Sequence, residues 1–143
     1  MFDMPIRSVM QRRKILKAPP ATLVIKVAKL MAGKNTGAVM IVENDRLIGI
    51  FTERDIVFRV VAPGLDARTT PVVDVMTPAP ITVGPEKPFG YALLMMHERG
   101  FRHLPVIEDG KLVGIVSSRS AMDPNLEEFV SEAQRRKHLL AQR

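Results

Sequence analysis

Thr52 and Asp55 stand three positions apart in the stretch Gly-Ile-Phe-Thr-Glu-Arg-Asp at residues 49–55, and both side chains can hold a ligand by hydrogen bonds. The stretch reads as the end of a strand running into the start of a helix, where backbone N–H groups lack partners and the helix dipole favours anions. There the Thr52 hydroxyl can donate to a phosphate oxygen. The Asp55 carboxylate can accept two hydrogen bonds side by side, which suits the vicinal hydroxyls of a ribose. Gly49 would let a backbone or a ligand approach closely. The same spacing also fits a capping box, with Thr52 capping the helix and Asp55 reaching back to a backbone N–H. Spacing alone favours the cap and leaves the ribose-phosphate site open.

An internal repeat bears on that choice. Shifting the chain by 65 positions lays Met31 on Met96, Glu43 on Glu108, Leu47 on Leu112, Gly49 on Gly114, Ile50 on Ile115 and Arg54 on Arg119. Pro20 falls on Pro85, and Val9-Met10 falls on Val75-Met76 with one residue of slippage. Two similar units of about 60 residues, joined near Ala62 to Pro71, are the simplest description. The second copy of the phrase, Gly-Ile-Val-Ser-Ser-Arg-Ser at 114–120, keeps a hydroxyl as Ser117 but has Ser120 where Asp55 stands. Both copies have a helix to cap, so capping explains the difference poorly.

The elements that must position these residues follow one grammar. Residues 22–32 and 88–97 suit helices, the first opened by a Thr22 cap and the second by Pro88 at its first turn. Two short apolar runs follow each helix, Val39–Val42 and Leu47–Phe51 around Asn44-Asp45, then Leu104–Ile107 and Leu112–Val116 around Asp109-Gly110. Such runs read as β-hairpins. Short strands near Ile15–Lys17 and Pro80–Val83 would complete a β-α-β-β-α unit. The helix after the first hairpin, with Ile56, Val57, Phe58, Val60 and Val61, is apolar on nearly all sides and is expected to meet protein on more than one of them, between units, between chains, or both. From Asp123 onward, a capped amphipathic helix is expected to dock through Leu126, Phe129, Val130, Ala133 and Leu140.

Composition narrows the classes. At 143 residues the chain can bury roughly two-thirds of its unfolded surface. With no cysteine it has neither disulfides nor thiolate chemistry. No secretion signal is evident, and apolar runs such as 38–42 are too short for a bilayer. A soluble intracellular, cytoplasmic protein is expected. The net charge of +6 sits largely at the ends, in Arg12, Arg13 and Lys14 and in Arg135, Arg136 and Lys137. Without interleaved aromatics, solvated basic ends describe it better than nucleic-acid binding. His97, His103 and His138 lack metal-ligand spacing, so no metal is expected. The Met95-Met96 pair and Met31 fit core or cleft filling. No acid, base and nucleophile constellation suggests an enzyme.

The tandem units, the hairpins ending in Gly-Ile-x-Thr-x-x-Asp, and the stretches GAVMIVENDRLIGIFTERDI and RHLPVIEDGKLVGIVSSR closely resemble a pair of CBS domains, the Bateman module, over roughly residues 6 to 122. The resemblance implies an α+β fold of two β-α-β-β-α units, 6–62 and 72–122, packed as a pseudo-symmetric pair, with a C-terminal helix over 123–143. It implies an adenosine-containing ligand (AMP, ADP, ATP, NAD or S-adenosylmethionine) held between the units, no catalytic cofactor, a homodimer, and an unknown regulated protein.

Carried over by position, Thr52 matches a phosphate-binding residue and Asp55 the ribose carboxylate. Ile50 would lie against base or sugar, and Gly37 and Ala38 form the loop before the middle strand. Lys87, Ala92, Phe101 and Arg102 would supply the opposite wall, and Arg54 and Arg102 would lie near phosphates. In the second cleft Ile115, Ser117 and Arg119 match, but Ser120 departs from the pattern. That cleft is expected to be empty, weaker or differently bound. An alternative remains at this point, a structural or nucleic-acid-associated adaptor with degenerate clefts.

Overall fold

The computed structural model describes residues 2–13, 15–118, 135–137 and 139–140. In the first unit β1 (Leu16–Ala18) is followed by α1 (Val24–Lys34), β2 (Ala38–Glu43), β3 (Arg46–Thr52) and α2 (Glu53–Asp55), which continues as a π-helix over Ile56–Val61. After the linker come β4 (Thr77–Pro78), α3 (Phe89–Arg99), β5 (His103–Glu108) and β6 (Lys111–Ser117).

Both hairpins close on two residues with positive φ. Asn44 and Asp45 lie at 51° and 62°, Asp109 and Gly110 at 51° and 77°, the mirror-image turn whose twist matches paired strands. Each hairpin also shifts register at the same place, between Ile41 and Val42 and between Val106 and Ile107. The helices end alike, on Asn35 and Gly100 in the left-handed region.

The first sheet has the order β1-β2-β3-β4, with β1 parallel to β2 and the rest antiparallel. The second hairpin is extended in the same pattern by single bridges, Val83 parallel to Val106 and Gln11 antiparallel to Ile115. The strand expected at Pro80–Val83 is thus reduced to the Val83 bridge.

Thr22 does not cap α1. The N-cap is Leu23, with no side-chain hydrogen bond, and the first N–H groups are taken by the linker instead, Val24 N–H donating to Thr70 O and Ile25 N–H to Ala67 O at 2.9 Å. Pro88 occupies the N-cap of α3, where Phe89 N–H donates to Met4 O at 2.7 Å and Gly90 N–H to Phe2 O at 2.9 Å. Free helix-end donors must find acceptors, and in both units a neighbouring segment supplies them as carbonyls.

Those segments cross between units. The short 3₁₀ turn at Ile6–Ser8 sends Ile6 and Met10 into the second core, with Val83, Phe89, Ala92, Met96, Leu104, Val106 and Val116. Its counterpart at Val72–Asp74 sends Val72, Val75 and Met76 into the first, with Val24, Val27, Met31, Val39, Ile41 and Phe51. Arg7 adds ion pairs to Glu86, at 2.7 Å, and to Glu108. A third apolar cluster, Ala38, Met40, Ile50 and Ile115 edged by Ile15, Val42, Leu47 and Leu112, joins the two hairpins.

The helix after β3 departs from expectation. Hydrogen bonds from Ala62 N–H to Val57 O and from Leu65 N–H to Val60 O span five residues, the π-helical repeat. Val60 is buried, but Val57, Phe58 and Val61 are 54%, 58% and 68% exposed. Among the described residues the second unit leaves them open. Arg135–Lys137 and Leu139–Leu140 are helical and exposed, whereas the expected docking residues Leu126, Phe129, Val130 and Ala133 lie outside the described residues. No helix among the described residues is long and apolar enough to cross a membrane.

Candidate functional site

The junction between β3 and α2 is built around Asp55, the one charged side chain buried among the described residues, at 7% exposure. The capping box is formed. Thr52 N–H donates to Asp55 Oδ2 at 2.9 Å, the Thr52 hydroxyl lies 3.2 Å from the same oxygen, and Asp55 N–H donates to Thr52 Oγ1 at 3.4 Å. The other carboxylate oxygen, Oδ1, faces Arg59 Nε at 3.4 Å, and Arg59 also donates to the Met76 carbonyl at 2.8 Å. A buried carboxylate without such partners would be strongly disfavoured.

Around this centre, Gly37 O accepts from Glu53 N–H at 3.1 Å, and a side chain at Gly37 would run into the Glu53 carboxylate. The second unit repeats the tie, Ser118 N–H donating to Arg102 O at 2.9 Å. Ala38 and Ile50 are buried, and they share the inter-unit apolar cluster with Ile115. His103, opposite Ser117 on the paired strand, has its pKa lowered by burial; the Glu53 charge opposes the shift and Arg102 adds to it. His103 of the second unit therefore senses the Glu53 charge of the first across the boundary.

Several of the expected residues sit elsewhere. The Arg54 guanidinium stacks on the Phe58 ring at 4.4 Å, and the Lys87 ammonium sits 5.3 Å from the Tyr91 ring. Ala92 has no exposed surface, being packed on α3 in the second core, and Phe101 is half-buried against the same core. Ser117 ends β6. Arg119 and Ser120 lie outside the described residues. At Gly49 the close approach is made by Met76 rather than by a ligand, since a side chain there would meet the thioether, with Met76 Cε at 2.8 Å and Cγ at 3.0 Å. A shallow groove of about 250 Å³ between Ala28, Met31, Asn35, Glu53 and Ile56 belongs to the first unit alone. Among the described residues no cluster of three or more His, Cys, Asp or Glu side chains could hold a metal ion.

Arg59, Met76, Glu53 and His103 were not among the candidate ligand-binding residues read from sequence. Arg59 was within reach, because a cation four residues after an acid on a helix faces it. The role of Met76 depends on the linker crossing to the first unit, which no local pattern announces.

Comparison with known proteins agrees with this architecture. The CBS domain family profile matches residues 6–62 and 72–123. The chain is 38% identical over 112 residues to the meiotically up-regulated gene 70 protein of Schizosaccharomyces pombe, covering 71% of this chain but 15% of that one. A Methanopyrus kandleri relative is 35% identical over 113 residues, and the match covers 78% of this chain and 58% of that protein. The chain thus spans less than two-thirds of the length of either relative. Among solved structures, an uncharacterized conserved protein from Pyrococcus horikoshii superposes with a TM-score of 0.80 at 32% identity, covering 85% of this chain and 92% of that one. A CBS domain protein from Pyrobaculum aerophilum complexed with AMP superposes with a TM-score of 0.77 at 26% identity, covering 90% and 99%. With both repeats matched and the paired architecture shared, the chain belongs to the CBS domain family.

Proposed function

We propose that the chain is a regulatory module without catalysis of its own, which binds an adenosine-containing ligand at the boundary between its units and passes occupancy on to a partner protein. The observation that carries this reading is Asp55, a buried carboxylate placed at a strand-to-helix junction beside the apolar cluster the two units share. Thr52 and Asp55 would take phosphate and ribose, Gly37, Ala38 and Ile50 would border the sugar and base, and Arg102 would add charge from the second unit. Arg54 would join by leaving the Phe58 ring. The AMP complex of the Pyrobaculum relative supports an adenosine ligand for the family; AMP, ADP, ATP, NAD and S-adenosylmethionine are the candidates here. The second cleft, with Ile115, Ser117, Arg119 and Ser120, would bind more weakly because a hydroxyl cannot grip two ribose hydroxyls as a carboxylate does.

The exposed Val57, Phe58 and Val61, with Leu65 at 46% exposure, form an apolar surface that a second copy of the chain would cover. The functional test is calorimetric titration with the five ligands. Asp55→Ala should weaken binding about ten- to a hundred-fold, as loss of hydrogen bonds to a buried charge costs on the order of 1.5–3 kcal/mol. Equal affinity in the variant would end the assignment.

A further inference from the structure

Asp55 carries a second connection that neither the cap nor a ligand requires. Its Oδ1 faces Arg59 Nε at 3.4 Å, and the same guanidinium donates to the Met76 carbonyl at 2.8 Å. Met76 directly precedes β4, the two-residue strand that pairs with β3 through Gly49 and Ile50, and its own side chain packs over Gly49. Ala79 N–H then donates to Ile48 O at 3.0 Å, and the chain passes on into the second unit. One planar cation therefore links the candidate ribose carboxylate to the segment leading from one unit to the other. The guanidinium meets the two acceptors with different nitrogens, Nε and Nη1, of one rigid plane.

The repeat bears on the carboxylate. Shifted by 65 positions, Asp55 falls on Ser120, so the second copy lacks the acid that Arg59 faces in the first.

We propose that Arg59 is the positioning residue that couples occupancy of Asp55 to the segment at residues 76–79, where the second unit's chain pairs with β3 as β4, a step that rests on the ligand reading above. Arg59 holds Oδ1 and Met76 O together. A ribose diol arriving at Oδ1 competes for that oxygen, and whatever Arg59 then does is felt at the Met76 carbonyl and at the β3–β4 pairing beside it. A ligand shifts an equilibrium only through such differential contacts, and this is the contact that differs.

The test is amide hydrogen exchange of the full chain, with AMP as the probe. Without ligand, Arg59→Gln should speed exchange at Met76 and Ala79, Asp55→Asn should do the same, and the double variant should add little. Arg59→Lys, which keeps the charge but offers one nitrogen in place of two, should restore the slow exchange only in part. With AMP, wild type should change its exchange at 76–79 by about five-fold or more. Arg59→Gln should still bind AMP and show no such change. Unaltered exchange in ligand-free Arg59→Gln, or an AMP response that survives the substitution, overturns the coupling. A flat AMP titration of wild type overturns the ligand reading itself, and the coupling falls with it, whereas AMP binding with a response independent of Arg59 sinks the coupling alone.

Discussion

Gly49→Ala tests the way the two units are tied together. Gly49 lies in β3 opposite Pro78 of β4, and its backbone is outside the left-handed region, so alanine is conformationally allowed. What opposes alanine is Met76: the new Cβ would collide with the thioether, with Cε at 2.8 Å and Cγ at 3.0 Å, in a side chain that is itself only 7% exposed. Overpacking of a core commonly costs about 1–3 kcal/mol, and the flexibility of methionine places this case toward the lower half. Loss of glycine's freedom in the unfolded chain returns about 0.4–1 kcal/mol. The net expectation is destabilisation by about 1 kcal/mol, a fall in melting temperature of roughly 3–4 °C for a chain of this size. Gly33→Ala in α1 is the control, since nothing lies within 4 Å of the added methyl. It should stabilise by about 0.5–1 kcal/mol. Differential scanning calorimetry of both variants, and of Gly49→Ala combined with Met76→Ala, decides the matter. The double variant should be less destabilised than the sum of the singles by about 1 kcal/mol. If Gly49→Ala melts as high as Gly33→Ala, or if the double variant is simply additive, Met76 does not press on Gly49.

Three further outcomes are expected. Thr52→Val removes the hydroxyl that accepts from Asp55 N–H and should cost about 0.5–2 kcal/mol in thermal unfolding, largely restored by Thr52→Ser. His103, whose folded pKa is lowered chiefly by burial, binds protons more readily in the unfolded chain, so its contribution to stability is complete above the ordinary histidine range and is lost as pH falls below about 6.5. His103→Gln should therefore flatten the decline in melting temperature between neutral and mildly acidic pH, and an unchanged slope would count against its burial. Phe58→Asp, placed on the exposed apolar face, should convert a homodimer to a monomer in light scattering without lowering the affinity for AMP by more than a few-fold.

The hairpins and their turns were readable because their signals are local. Asn44-Asp45 and Asp109-Gly110 between Val- and Ile-rich runs leave few alternatives, and both turns took the expected left-handed backbone. The helix caps were misread at Thr22 because the acceptors come from Ala67 and Thr70, more than 40 positions away in the chain. The same reason hid the placement of Ile6 and Met10 in the second core. Their repeat partners, Val72 and Met76, could be matched by sequence, but matching does not say which unit a connecting segment covers. The π-helix at Ile56–Val61 has no sequence signature beyond an apolar run. At the β3–α2 junction the Thr52–Asp55 capping box was legible from spacing, whereas the contact of Arg59 with Met76 needed the fold.

The choice between a cap and a ligand site at Asp55 is not exclusive in physical terms. An ionised carboxylate offers about four acceptor positions; Thr52 N–H and the Thr52 hydroxyl use two of them, both at Oδ2, while Oδ1 faces Arg59 in an ion pair. The cap holds the carboxylate in one orientation, so on the proposed reading a diol would meet an acceptor already in place and lose less to ordering on binding. Capping alone would be served as well by a serine or an asparagine in that box. What the carboxylate adds is charge in a buried position, which is costly unless something uses it. Arg59 answers part of that cost, and its second bond, to Met76, carries the consequence away from the site. A residue kept only for helix capping would have no reason to be tied through Arg59 to Met76, and on the proposed reading it is this tie, rather than the cap, that would give Asp55 a means of reporting an occupant.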